Sequence, residues 1–286
     1  MPEPTTPSRA ALLGVAAVSR GLRALGPLRG DIANVIGTYW YARELEEQRM
    51  RTAANHRRCN PALSPAEARR LARRSYREYV AMILDSIWAE SQNPSAVMRH
   101  VHVRGRAQLD RTRDGAVFAI SHFGNWDIAA TAAVALGVRI TTVMGPVISP
   151  FLSSLVAWSR EHKGLELYSP ERAARGLIRA LRARRVVSLM ADVPEAGPTV
   201  VVQYCGGPVR FSSVPARLAM AERKPLMPVA CWRAGSGWVL EIHPAVPIQP
   251  GDDETDVTAR VAKVLEPTVL RHPEQWYPFH DVYCDV

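Results

Sequence analysis

Four cysteines in 286 residues leave little scope for a disulfide framework. Cys59, Cys205, Cys231 and Cys284 form no Cys-x-x-Cys pair, and none stands at zinc spacing from a histidine. Free thiols in a reducing compartment follow, with no metal expected. Long apolar runs are missing too. A membrane-spanning helix needs about 20 predominantly apolar residues, and no window reaches that. Ala10 to Ser19 is apolar but short, bracketed by Arg9, Arg20 and Arg23, and it reads neither as an export signal nor as a span. The expectation is a chain that does not cross a membrane but can lie on one. No Gly-x-Ser-x-Gly elbow occurs, which sets aside a serine hydrolase of that type. Helix-turn-helix, RNA-recognition and zinc-finger signatures are absent, so nucleic acid is not an expected partner. There is no internal repeat and no low-complexity tract.

What is present is a large apolar fraction, 47%, and a formal net charge of +9, much of it arginine. The first is enough for a sizeable core. The second favours anionic partners: phosphates, phospholipid surfaces, nucleic acid or acidic carrier proteins, among which charge alone does not choose. The length is compatible with one large domain, divided here into a helical N-terminal region (1–95) and an α/β core (96–286).

Residues 1–8 are rich in Pro, Thr and Ser and read as loose. From 9 to about 42 two apolar, weakly amphipathic helices are expected, broken near Gly26-Pro27, with leucines interleaved among Arg20, Arg23 and Arg29. That pattern suits a membrane interface, where apolar residues insert and arginines meet anionic headgroups; a packed helical cap is the plain alternative. Ser64-Pro-Ala-Glu67 combines an N-cap, a proline at the first helical position and a capping-box glutamate, so a long helix should run to about Glu90. Beyond 100 short apolar runs alternate with helical stretches. Strands are expected at 116–120, 138–143, 165–168, 185–190, 199–204, 226–231 and 237–243, and helices at 125–136, 150–162, 170–183, 213–222 and 255–270. The alternation predicts an α/β fold: a central, mostly parallel to mixed sheet of about seven strands, flanked by helices.

The segment Ser121-His-Phe-Gly-Asn-Trp-Asp127 falls between the buried strand 116–120 and a helix start at Asn125. In open α/β sheets, ligands collect at the carboxyl ends of strands. Gly124 supplies the backbone freedom for Asp127 to reach back from the first helical turn toward the imidazole of His122. Such a pair can deprotonate a hydroxyl, with His122 as base and Asp127 fixing the tautomer and favouring the imidazolium. Backbone N–H groups at the helix start, at Gly124 and Asn125, are candidates to hold a developing oxyanion. A histidine and an aspartate five residues apart also occur by chance, and an aspartate at a helix start can be a simple cap.

His122-Phe-Gly-Asn-Trp-Asp127 resembles the H-x4-D/E motif of bacterial lipid A biosynthesis acyltransferases, within the wider lysophospholipid acyltransferase superfamily. The form His-x-Gly-Asn-Trp-Asp is also similar to actinobacterial phosphatidylinositol mannoside acyltransferases. Further segments match in the same order: Asn60-Pro-x-Leu-Ser64, Arg160-Glu-x-x-Gly164, Leu189-Met-Ala-Asp192, Pro215-Ala-x-Leu-Ala219 with Pro228-Val229, and His272-Pro-Glu-Gln-Trp276. The resemblance implies transfer of a fatty acyl group from an acyl-CoA or acyl-carrier-protein thioester to a hydroxyl of a glycolipid or phospholipid. It needs no cofactor and takes place at the cytoplasmic face of the membrane. It makes His122 the general base, Asp127 its partner, Asp192 a second acidic site residue, and Arg160 a contact for the oxyanion, a phosphate or the acceptor. Two departures concern the acceptor. Val193-Pro194-Glu195 stands where the family carries a basic or amide residue and a polar run, and the transmembrane anchor of many lipid A enzymes has no counterpart. A soluble metabolite bearing a hydroxyl or amine is therefore the alternative acceptor, and a non-catalytic basic membrane- or nucleic-acid-binding protein the alternative class.

Arg172, Arg175, Arg179 and Arg182 share one helical face. Arg175 and Arg179 are candidates for donor phosphates, a solvated face being the plain alternative. Glu195 is a candidate second acid, a loop residue being the plain alternative. Trp126, Trp158, Trp232, Trp238 and Trp276 are candidates for an acyl-chain tunnel or for ordinary core. His243 and His280, in no ligand spacing, read as structural or surface residues.

Overall fold

The computed structural model describes residues 7–145, 149–194 and 197–284; the candidate acid Glu195 lies outside them. The N-terminal region is helical: α1 (Arg9–Ala24), α2 (Leu28–Arg43), α3 (Glu46–Cys59), α4 (Pro65–Ala89) and α5 (Pro94–Met98). α1 and α2 turn at Gly26-Pro27 with their axes bent by 114°, and among the described residues no single helix is long and apolar enough to cross a membrane. α4 starts on the expected capping box: Ser64 Oγ accepts from Glu67 N–H at 3.3 Å, and the Glu67 carboxylate accepts from Ser64 N–H at 2.8 Å. α3 was not anticipated; its arginine-rich sequence has little apolar periodicity.

The α/β part runs β1 (Val101–Arg104), β2 (Ala116–Ile120), α6 (Trp126–Ala135), β3 (Ile140–Val143), α7 (Pro150–His162), β4 (Glu166–Tyr168), α8 (Ala173–Arg182), β5 (Val186–Met190), β6 (Thr199–Tyr204), β7 (Gly207–Ser212), α9 (Val214–Glu222), β8 (Leu226–Ala234), β9 (Gly237–Ile242) and α10 (Glu254–Arg271). Seven strands form one sheet in the order β1-β9-β8-β2-β5-β3-β4, all neighbours parallel except β8 and β9. Side chains alternate between its faces. Ala116 and Phe118 pack with α6 and Trp88 of α4, whereas Val117 and Ala119 pack with α8, α9 and α10. Burial on both faces explains why β2 reads as an unbroken apolar run and β5 as one interrupted only by Ser188.

The expected number of sheet strands is right, but one member differs. Residues 199–204 pair with β7 in a separate antiparallel hairpin, and β1 takes the vacant place at the sheet edge. The hairpin turns at Cys205-Gly206, both with positive φ (47° and 83°). A two-residue loop with two positive φ values matches the twist of antiparallel strands and closes β6 on its sequence neighbour. β1, four residues at an edge, carries too little pattern to stand out.

A buried acid ties the N-terminal region to the sheet, and a buried histidine packs it against the segment after α10. Asp85 of α4 is 1% exposed and lies between Arg29 of α2 (2.9 Å) and Arg233 of β8 (2.6 Å). Burial pushes its carboxyl up, against the pull of the two guanidiniums. His56 of α3, also 1% exposed, meets Ser75 Oγ at 2.9 Å through Nε2 and packs edge-on to Trp276 at 5.6 Å. Burial lowers its pKa to about 3.

Asp85→Asn leaves two guanidiniums around a neutral amide, and the loss of stability in urea unfolding should be about 3–5 kcal/mol. For His56 the folded-state pKa lies below the unfolded value, so the unfolded chain takes up the proton first. Its stability contribution is complete above about pH 6.5 and is lost as pH falls toward 3, at up to about 1.4 kcal/mol per pH unit. His56→Gln should flatten the decline in urea-unfolding stability between pH 6.5 and 4; an unchanged slope would exclude this histidine as its source.

Candidate active site

β2 and β5 run parallel with Ile120 opposite Met190, and Ala191 N–H donates to Ile120 C=O at 2.7 Å. Two residues beyond the strand ends, each chain delivers a polar side chain: His122 from one, Asp192 from the other. The backbone N–H of His122 lies 2.9 Å from both carboxylate oxygens of Asp192, and the ring Nδ1 is 2.9 Å from Oδ1. The Asp192 side chain is 4% exposed and the imidazole 32%. With a carboxylate as its neighbour, Nδ1 is the donor, which leaves Nε2 of the neutral ring as the basic nitrogen.

The strand end bearing Asp192 is held from the hairpin. Ser212 N–H donates to Ala191 C=O at 2.7 Å, and Asp192 pairs with Phe211 in an isolated bridge. The next residue, Val193, has φ +50°. A β-branched residue in the left-handed region costs about 1–3 kcal/mol, so the turn is imposed by its surroundings.

Asp127 lies in the first turn of α6, where its Oδ1 accepts from Arg160 Nε of α7 at 3.0 Å. Four of the expected residues thus form two pairs, His122 with Asp192 and Asp127 with Arg160, a different distribution of contacts from the sequence reading. The carboxylate at Nδ1 is Asp192, and Asp127 is engaged by the guanidinium.

The assignment of Gly124 and Asn125 to an oxyanion requires correction. Gly124 N–H donates to Gln275 C=O and Asn125 N–H to Cys231 C=O, both at 2.8 Å. Asn125 Oδ1 caps α6 by accepting from Ile128 N–H at 2.9 Å, and its Nδ2 donates to Met82 C=O of α4 at 3.2 Å. These donors are consumed in docking the turn onto β8, α4 and the C-terminal segment. Gly124 has φ +63°, and a Cβ there would sit 1.8 Å from Cys231 O. Among the described residues, the N–H groups at the start of α6 that take no protein acceptor are those of Trp126 and Asp127.

A cavity of about 230 Å³ opens beside His122 and Asp192, with Val193, Pro194, Tyr277 and His280 in its wall. The Trp126 ring meets the imidazole edge-on at 5.5 Å, and Trp276 pairs with Phe123, so the chain after α10 closes one side of the site. His280 is the functional candidate that sequence reading missed. Burial lowers its pKa, with Asp192 opposing the shift and His122 adding to it. No motif surrounds it, and only the return of the chain end to the strand ends reveals it. Of the other tryptophans, Trp232 is core and Trp238 lines a different cavity. Arg175 and Arg179 are exposed on α8 and line neither cavity. The described residues hold no cluster of three or more metal-ligating side chains.

A histidine backed by a buried carboxylate, with a second acid paired to arginine at a helix start, is an arrangement that can accept and pass on a proton. The model of the bacterial lipid A biosynthesis acyltransferases matches residues 3–283, and the chain belongs to that family. It is similar to the phosphatidylinositol mannoside acyltransferase of Mycobacterium tuberculosis (strain ATCC 25618 / H37Rv), 32% identical over 167 residues that cover 57% of this chain and 52% of the relative. The enzyme of the same name from Mycolicibacterium smegmatis is 31% identical over 173 residues, 59% of this chain and 56% of the relative. The chain thus spans about half the length of the curated relatives it matches.

Gly124→Ala should cost at least about 2 kcal/mol in urea unfolding, because the methyl group meets a backbone oxygen and the residue leaves its preferred φ region. Gly14→Ala, with nothing within 4 Å of its Cβ, should be neutral or slightly stabilising.

Proposed function

We propose that the protein transfers a fatty acyl group from an acyl thioester, carried by CoA or an acyl-carrier protein, to a hydroxyl of a glycolipid or phospholipid. The observation that carries this is the Asp192–His122 contact at the mouth of a cavity, in a chain of this family. The family description and the named relatives, glycolipid acyltransferases by their names, support the substrate class.

His122 Nε2 takes the proton of the acceptor hydroxyl as its oxygen attacks the thioester carbonyl. The carbonyl electrons move onto oxygen, and the N–H groups of Trp126 and Asp127, at the positive end of α6, stabilise that charge. The intermediate collapses with cleavage of the C–S bond, and the imidazolium returns its proton to the leaving thiolate. Asp192 holds the ring orientation and stabilises the imidazolium without itself taking the proton. Asp127 and Arg160 set the first turn of α6 against the site. No cofactor beyond the acyl donor is required.

The reaction is placed at the cytoplasmic face of a membrane, with the protein held peripherally. In support, α1 and α2 leave Leu13, Val18, Leu28, Val35 and Ile36 exposed beside Arg20 and Arg23, an apolar surface with a basic fringe.

His122→Ala should lower kcat/KM for acyl transfer from palmitoyl-CoA to a phosphatidylinositol mannoside by at least about 10³-fold while the circular dichroism spectrum is retained. Asp192→Asn should lower kcat by about 10²–10⁴-fold, through the wrong tautomer. Retained activity in His122→Ala would refute the mechanism. Loss in Asp127→Asn with full activity in Asp192→Asn would move the orienting role to Asp127.

A further inference from the structure

A second, larger cavity of about 1010 Å³ lies at the turn between α1 and α2, bounded by the end of α4 and the β8–β9 turn. Four arginines line it: Arg23, Arg29, Arg99 and Arg233. Arg29 and Arg233 share the buried Asp85, and Glu78 lies 3.5 Å from Arg233 Nε. Arg23 and Arg99 are exposed and, among the described residues, have no acidic partner. The four guanidiniums outnumber the two carboxylates that reach them. Trp238, 3% exposed in the wall, faces the same Asp85 carboxylate. An oxyanion matches an excess of guanidinium charge in a concave wall, because the planar forks donate to it in pairs.

We propose that this cavity binds the phosphate group of a phosphate-ester ligand, with Arg23 and Arg99 supplying the charge that Asp85 and Glu78 leave unmatched. Its position suits a group that is bound while the active site works. Asn125 touches α4 at Met82, and Trp88 of the cavity wall lies six residues further along that helix, about 9 Å away. Two sources carry this chemistry. One is the nucleotide end of an acyl-CoA; the other is the headgroup of an anionic phospholipid, which the exposed Leu25 and Leu28 beside Gly26-Pro27 would help to seat. The site stands or falls on binding, independently of the acyl-transfer mechanism.

The test is isothermal titration of the full chain with adenosine 3′,5′-bisphosphate, and co-sedimentation with phosphatidylcholine vesicles with and without phosphatidylinositol. At least one probe should bind, and its affinity should fall about tenfold or more in the double variant Arg23→Ala/Arg99→Ala. Arg175→Ala/Arg179→Ala should leave it unchanged. Sensitivity to the variants in the nucleotide arm assigns the site to the donor; sensitivity only in the phosphatidylinositol arm assigns it to a headgroup. The proposal is overturned if neither probe binds, or if Arg23→Ala/Arg99→Ala binds both as tightly as the unmodified chain. Arg23 and Arg99 are exposed side chains outside the Asp85 network, so their loss leaves the fold in place.

Discussion

The site depends on the parallel pairing of β2 with β5. Ile120 stands opposite Met190, and the same offset of two residues beyond each strand brings His122 and Asp192 side by side. Backbone hydrogen bonding therefore sets the distance between base and carboxylate before any side chain chooses a rotamer. A slip of one residue would turn the slipped strand's side chains to the opposite face and separate the pair. The clamp of His122 N–H and Nδ1 on one buried carboxylate is the chemical result of a register that the apolar side chains of both strands enforce.

The rest of the chain is arranged around that pair. The β6–β7 hairpin braces the strand end that carries Asp192, and the segment after α10 covers Phe123 and brings His280 to the cavity. Asn125 and Gly124 spend their hydrogen bonds on β8, α4 and Gln275, which fixes where α6 begins. The N-terminal helices are tied in through the same region. Asp85, one turn from the α4 residues that touch Asn125, joins Arg29 of α2 to Arg233 of β8. A buried charge held on two sides is costly to break, so the helical region and the sheet have few ways of shifting independently.

Much of this was legible in advance for identifiable reasons. β2 and β5 announce themselves as buried runs, and α4 by its capping box. His122, Asp127, Arg160 and Asp192 could be singled out because a motif, and a collinear series of similar segments, runs through them. Harder to read were β1 and α3, whose apolar pattern is weak, and the pairing of β6, since a strand's sequence does not name its neighbour. The hairpin hinges on positive φ at Cys205, a conformation that a cysteine does not advertise.

The sequence by itself determined the α/β class, the helical N-terminal region, the candidate base and the family to which the chain belongs, because these rest on local periodicity and short motifs. Tertiary structure alone decided which carboxylate meets the imidazole, that the N–H groups of Gly124 and Asn125 are already spent, that His280 reaches the site, and that Arg23, Arg99 and Trp238 share a cavity. The physical reason is one of range. Helix starts and buried strands are written in neighbouring residues, whereas a hydrogen-bond partner 70 residues away exists only after the sheet has paired and its register has been set.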